Sequence, residues 1–391
     1  MAFGSAHNMH SLHAKIIRGG SSKGIYIDVA DLPPEGAARD KIVLKLFGSP
    51  DKRQIDGLGG ADKLTSKVAV MGKATRADCD IDYLFGQVNT ELPRVDWNAN
   101  CGNLSAGAAL YGVLAGLGTV EDDLVRINIH QVNTGRKLVA KVPLYRGSPA
   151  VDGDFAIGGV PGTGARIDVD FADFSGSAMG GNLLPTGNPR DTIDVPGIGG
   201  LEVSIVDMAK LLIFVRAADI NMDVKASIYD MQADQALVAR LEAIRRAVSN
   251  EIGFITGPAA DEELRVSTNP LIFAVAPPLS YLGTNKHEVG SDEHDLFSRS
   301  LARYEFSKAY PGSGAAGTAV ASGIEGTIAH EAARNVGQGK GQYSLRIGHP
   351  GGVLEVAAEI ATVNHSTQVR QAIIGRTARL IMDGTAYIRN E

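Results

Sequence analysis

The chain has 391 residues, 44% hydrophobic and 21% charged, which are the values of a folded protein of two or three domains and exclude a disordered or fibrous one. Asp and Glu (44) outnumber Lys and Arg (38), and the net charge of −6 comes with no block of one sign, so a basic face for nucleic acid is excluded. No apolar run reaches the ~18 residues of a membrane span.

Taken in chain order, Arg18-Gly19-Gly20-Ser21-Ser22-Lys23-Gly24 is a tight loop leading into a strand predicted at 25–29. A helix is predicted at 36–47. Gln54–Gly60 is a second glycine-rich loop, without the G-x-G-x-x-G spacing of a dinucleotide site. Strands are predicted at 67–70 and 81–88, a helix at 102–117, and strands at 125–132 and 138–143. Leu184-Pro185-Thr186-Gly187-Asn188-Pro189 has the composition of a linker near mid-chain. Beyond it, strands are expected at 201–206, 212–215, 271–275 and 353–360. Helices are expected within 224–252 and at 292–304, 314–326 and 364–376. Strands do not alternate regularly with long helices, which disfavours a doubly wound parallel sheet.

Two helices differ in kind from the others. Residues 102–117 read GNLSAGAALYGVLAGL, and residues 314–326 read GAAGTAVASGIEG. Both are small-residue segments nearly free of charge, and a helix without a polar face is buried all round. Each suits a helix threaded through a curled sheet, one architectural unit used twice.

Asn100-Cys101-Gly102-Asn103 is the strongest local signal. At a predicted helix start, free N–H groups and the helix dipole favour a thiolate and bind carboxylates. A buried structural cysteine is the competing explanation. Cys79, between Asp78 and Asp80, faces negative charge and is expected to be inert. Lys67 enters an apolar strand after Leu64-Thr65-Ser66, either as a solvated edge residue or as a buried amine. To act as a base near neutrality it must shed its proton, which only burial or a nearby cation would favour. The 18–24 loop, with two cations and two hydroxyls, suits either a carboxylate-rich ligand or a plain solvated turn. Metal chemistry is poorly supported: His330-Glu331 begins an H-E-x-x-H pattern, but Arg334 ends it. Two cysteines cannot build a disulfide framework, Met1–Ser11 lacks an apolar signal region, and the expected location is the cytoplasm.

Together these segments resemble the 2-methylaconitate cis–trans isomerase (PrpF) family of the diaminopimelate-epimerase-like superfamily. The resemblance rests on RGGSSKG (18–24), RQIDGLGGADKLTSKVAV (53–70), DYLFGQV (82–88), NCGN (100–103), NLLPTGNPRD (182–191), GTI (326–328), GHPGGVLEV (348–356) and RTARLIMDG (376–384). It implies an α+β fold of two similar halves, each a curled, barrel-like sheet around a central small-residue helix. The expected domains are 1–184 with 373–391, and 185–372. It also implies that Lys67 and Cys101 are the catalytic pair.

Three departures bear on the substrate. Ser313 stands between glycines where epimerases and racemases of the superfamily carry a second cysteine. Met208-Ala209-Lys210-Leu211 replaces an Asn-Pro segment, and Ser307-Lys308-Ala309 occupies a region that often holds His. The expected activity is a cofactor-independent, metal-independent isomerase of a small unsaturated di- or tricarboxylate. Arg18, Ser21, Ser22, Lys23, Ser66, Asn100, Gly102, Asn103, Lys308, Ser313 and Gly314 are the expected substrate contacts. An amino-acid epimerase or racemase of the same superfamily and a non-catalytic carboxylate-binding protein are the alternatives. The oligomeric state stays open, a homodimer being one option.

Overall fold

Period-two burial organises most of this chain, and it sorts side chains onto two faces of each curled sheet. The computed structural model describes residues 9–98, 101–334, 336, 341–363 and 366–390. Among them no helix is long and apolar enough to cross a membrane. The chain forms two compact units, Met1–Val169 with Gly375–Glu391, and Asp170–Ile374. The 184–189 segment therefore lies inside the second unit. There Thr186 and Asn188 bond to Asp191, and the Asp207 N–H donates to the Leu183 carbonyl. Its turn residues mark a bend, and turn chemistry alone does not distinguish a bend from a boundary.

In the first unit, β1 (Met9–Gly19) and β2 (Ser22–Asp28) form a hairpin, followed by α1 (Ala37–Phe47), β3 (Lys67–Lys73) and β4 (Ile81–Val88). Next come α2 (Gly102–Leu114), β5 (Leu124–Gln131) and β6 (Arg136–Tyr145). Pairing runs β1–β2 antiparallel, β2–β3 parallel, β3–β4 antiparallel, β4–β5 parallel and β5–β6 antiparallel. The last strand, Ala378–Arg389, returns to pair with β1. Ile25, Ile27, Val68 and Val70 face outward onto Val43, Leu46 and Phe47 of α1. Alternation then turns Ser22, Gly24, Tyr26, Lys67 and Ala69 inward, toward α2.

Helix α2 packs against all six strands and the C-terminal strand. Only small residues permit this. A Cβ on Gly107 would lie 2.1 Å from the Tyr26 hydroxyl, and one on Gly112 would lie 2.2 Å from Ile127 Cδ1.

The second unit repeats the plan. Its elements are β7 (Gly199–Met208), β8 (Lys210–Arg216), α3 (Ile228–Ala233), α4 (Gln235–Glu251), α5 (Ala260–Val266) and β9 (Leu271–Ala276). They continue with β10 (Leu296–Ala302), α6 (Gly312–Gly323), β11 (Tyr343–His349) and β12 (Gly352–Val363). The pairings β7–β8, β8–β9, β9–β10, β10–β11 and β11–β12 repeat the same antiparallel–parallel alternation. Helix α6 packs on β7, β8, β11 and β12. A duplicated unit, only hinted at by two small-residue helices, is explicit in the ladders.

Two expected helices are strands. Residues 292–304 contain β10, where Phe297, Arg299 and Leu301 alternate with Ser298 and Ser300. Residues 364–376 contain the strand Ser366–Arg376, paired with β12. Helical spacing in short polar segments is a weak signal, and ladder pairing on a neighbouring strand overrides it.

Gly107→Ala should destabilise the chain by about 1–3 kcal/mol in a urea melt through overpacking. Adding Tyr26→Phe, which removes the atom in closest conflict, should recover part of that loss. A second expectation concerns His349, at the turn between β11 and β12. Burial, with the nearby Arg299 charge, pushes its pKa down to about 4, and its Nδ1 accepts from the Gly351 N–H. The unfolded chain takes up this proton near pH 6.5, whereas the folded chain resists it until about pH 4. Stability is thus fully present above pH 6.5 and declines as pH falls, by up to about 3 kcal/mol from this group. His349→Asn should flatten that limb of a stability–pH profile.

Candidate functional site

Strand β3 begins at Lys67, which is 7% exposed and faces inward. Its Nζ donates to Gln87 Oε1 at 2.7 Å, directly across the β3–β4 ladder, and lies 5.0 Å from the centre of the Phe85 ring. Gln87 Nε2 donates to the Ser66 and Lys63 carbonyls at 2.9 and 3.1 Å. Those bonds fix the amide so that its oxygen turns to Lys67.

Cys101 is the N-cap of α2, with extended backbone and 8% exposure. No side chain caps this helix start, so the N–H groups of its first turn are open to a ligand. The Cys101 carbonyl accepts from Ser105 Oγ at 3.2 Å and from the Tyr83 hydroxyl at 3.4 Å. Tyr26 donates to the Leu104 carbonyl at 2.9 Å. Burial first, and then the Cys101 sulfur, hold both tyrosine hydroxyls well above their ordinary range, so both remain protonated donors.

The turn between β1 and β2 meets the same helix start. Asn103 Nδ2 donates to Ser21 Oγ at 3.1 Å and reaches Ser22 Oγ at 3.4 Å. Gly20 adopts a left-handed φ of 54°, and a Cβ there would lie 2.5 Å from Asn103 Oδ1. Lys67, Cys101, Gly102, Asn103, Ser21 and Ser22 are thus organised around the first turn of α2 and the strand ends facing it.

Three expected contacts do not join them. Arg18 and Lys23 are ladder partners on the sheet face turned away from α2, because Ile17, Gly19, Ser22 and Gly24 take the inward positions. Arg18 Nη1 instead bonds to the carbonyls of Gly20 and Thr377 and to Thr377 Oγ1, beside a cavity that Arg379 also lines. The buried Ser66 hydroxyl donates to Gln54 Oε1 at 2.7 Å, which holds the Gln54–Gly60 loop. Asn100 lies outside the described residues.

Lys308, Ser313 and Gly314 belong to the second unit. Pro311, not Ser313, is the N-cap of α6. Gly314 is buried, and a Cβ there would lie 2.7 Å from the Phe273 ring, so its smallness serves packing. Lys308 Nζ lies 5.3 Å from the centre of the Tyr229 ring. Cys79 has its thiol pushed up to about 11 by burial and then by Asp78, as an inert thiol would.

One residue escaped the sequence reading. Arg376, in the first unit just ahead of the C-terminal strand, is 7% exposed. Its Nη1 donates to the Gly375 carbonyl at 2.8 Å, and no carboxylate pairs with it among the described residues. Burial pushes its guanidinium down to about 10, against the opposing pull of the Cys101 sulfur. A buried cation without a carboxylate partner attracts an anion more strongly than an exposed one does. The signal was present in RTARLIMDG, but an arginine ahead of an alternating strand reads as a surface residue.

Among the described residues, no three His, Cys, Asp or Glu side chains gather to hold a metal ion.

A family model described as "PrpF protein" matches residues 9–389. A 3-methylitaconate isomerase of Eubacterium barkeri is 39% identical over 95% of this chain and 96% of its own length. A 2-methyl-aconitate isomerase of Shewanella oneidensis is 35% identical over 95% of each chain. The crystal structure of a methylitaconate-delta-isomerase superposes with a TM-score of 0.89, at 38% identity, over 98% of this chain and 96% of that one. A hydroxyproline epimerase from Agrobacterium vitis, at 10% identity and a TM-score of 0.51 over 97% of this chain and 93% of that one, shares the fold. The twice-used sheet-and-helix plan is therefore the epimerase-like fold, and this chain belongs to the PrpF family and is an isomerase.

Proposed function

We propose that this isomerase moves a proton within a small unsaturated di- or tricarboxylate, using Lys67 as the base. The substrates in view are 2-methylaconitate, aconitate, 3-methylitaconate or its dimethylmaleate isomer, and 4-oxalomesaconate. The observation that carries the reading is the arrangement of the first unit. An amine held by Gln87 lies on the inner face of the sheet, the helix packed on that face starts uncapped at Cys101, and Arg376 is buried in the same unit without a carboxylate partner.

The chemistry follows from these parts. Lys67 Nζ, as the free amine, takes a proton from the carbon γ to a carboxylate. The C–H electron pair forms a new C–C double bond, and the original double bond shifts toward the carboxylate to give a dienolate. The protonated Lys67 returns the proton at the α carbon, which moves the double bond. Alternatively, rotation about the bond that has become single precedes return at the γ carbon, which exchanges cis for trans. Charge gathers on the carboxylate in the intermediate, where Arg376 and the open N–H groups of α2 would stabilise it. One N–H of Lys67 is already committed to Gln87, which aims the remaining positions of the amine. Cys101 serves as a proton guide or second acid–base group, and Ser21, Ser22 and Asn103 shape the carboxylate pocket. A cytoplasmic location suits an enzyme with two free thiols.

The epimerase alternative needs acid–base groups on both faces of one carbon. The start of α6 holds Pro311, Gly312 and Ser313 and no thiol, which favours the one-base route over a two-thiol mechanism.

Proton NMR in deuterated water, run over the panel of unsaturated polycarboxylates, tests the reading. Exchange and isomerisation of one of them is expected, whereas deuterium entering only an amino-acid stereocentre would overturn it. On that substrate, Lys67→Ala should lower kcat by ~10²–10⁴, the loss typical of a general base. Cys101→Ser should keep measurable turnover, and equal losses in the two variants would indicate a two-group mechanism instead. Arg376→Lys keeps the charge but loses the planar fork, so KM should rise roughly tenfold with a smaller change in kcat. An unchanged KM would remove Arg376 from substrate binding.

A further inference from the structure

The second unit holds another buried arginine without a counter-ion. Arg299, on β10, is 3% exposed. Ser298 on the same strand bonds to the Tyr310 hydroxyl, which bonds to Thr318 of α6, so Ser298 faces the central helix. By alternation Arg299 faces the opposite side of the sheet, away from α6, with Phe297 and Leu301 of the outer core. Its guanidinium carbon lies 3.9 Å from the Phe297 ring centre and 4.5 Å from that of Tyr281. Nη1 donates to the Ser298 and Gly348 carbonyls at 2.9 and 3.2 Å. Nε is buried with no hydrogen-bond partner, and no carboxylate pairs with Arg299 among the described residues.

A cavity of about 200 Å³ lies against this arginine, walled among others by Ser227, Tyr229, Thr284, Lys286 and Pro350. Lys308 Nζ lies 5.3 Å from the centre of the Tyr229 ring, which walls the cavity. Two aromatic rings, two carbonyls and a side-chain bond to Tyr281 thus fix the guanidinium, one edge of which lines the cavity. A planar oxyanion is the complement of such an edge, since carboxylate and phosphate accept parallel N–H bonds from a guanidinium fork.

We propose that this cavity is a binding site for a small oxyanion, separate from the Lys67–Cys101 site, with Arg299 as its anchor and Lys286 as its outer charge. The cavity admits a compact carboxylate or phosphate. The inference does not depend on the proposed reaction, because it concerns binding in the second unit alone.

The test is calorimetric titration of the full chain with succinate and, separately, with inorganic phosphate. At least one probe should bind with a component that Lys286→Glu weakens tenfold or more and that Arg376→Lys leaves unchanged. Arg299→Gln should abolish that component. Should this buried substitution fail to fold, the exposed Lys286 variant decides alone. Binding of succinate only would identify a carboxylate site, of phosphate only a phosphate site, and of both a general oxyanion site. No binding of either probe, or binding abolished by Arg376→Lys and indifferent to Lys286→Glu, would overturn the proposal. Loss of isomerase activity in every assay, with the Lys286-sensitive component intact, would leave this site standing while removing the proposed reaction.

Discussion

The close seating of α2 in its sheet is the constraint on which the candidate site depends. Tyr26 reaches the Leu104 carbonyl only because Gly107, one turn on, leaves space for the phenol. Gly19 permits a similar approach, since a Cβ there would lie 2.7 Å from the Asn103 carbonyl oxygen. These contacts fix the first turn of the helix at the strand ends, where Lys67 starts β3. A larger residue at any of these positions would lift the helix and separate Cys101 from the groups around it. The run of Ala, Gly and Ser that makes α2 look featureless as sequence is therefore what brings the polar groups together.

Burial of charge follows two patterns in this molecule. Arg245, fully buried on α4, is neutralised by Glu242 and bonded to the Pro270 and Ser267 carbonyls, so it is a satisfied structural pair. Arg376 and Arg299, 7% and 3% exposed, have no such carboxylate among the described residues, and Arg39, 7% exposed, bonds to the Pro33 carbonyl instead of a carboxylate. Removing water from a cation without supplying an anion is costly, so an anion beside such a group is strongly favoured.

Much of the architecture was legible in the sequence. The strand at 81–88 matches its bounds, and both small-residue helices begin within two residues of the expected positions. These segments carry strong apolar signals that local physics and tertiary packing both favour. The misread segments, 292–304 and 364–376, mix polar and apolar residues at spacings that fit either period, and only a neighbouring strand decides between them. The site was legible in part. Cys101 and Lys67 stand in distinctive contexts, whereas Arg18 and Lys23 illustrate the limit of reading a loop by composition. Alternation at the hairpin turns both away from α2, and a shift of one residue would have reversed that outcome. Arg376 was invisible because its burial is created by residues far away in sequence.

The repeated plan also bears on why one half carries the proposed base. Lys67 is the first residue of β3, paired with Gly24 of β2, and Leu271 holds the corresponding place in β9, paired with Leu212 of β8. Cys101 caps α2, and Pro311 caps α6. Neither position in the second unit carries an amine or a thiol, while the ladder pattern is unchanged. The fold tolerates this because its stability lies in strand pairing and in the small-residue helix, neither of which uses the side chain at the helix cap or at the strand's first position. Two opposed acid–base groups are indispensable when one carbon must be inverted. They are dispensable when a proton leaves and returns on one face of a flat conjugated system. A unit that keeps its frame and loses its proton carriers is what the second kind of reaction permits.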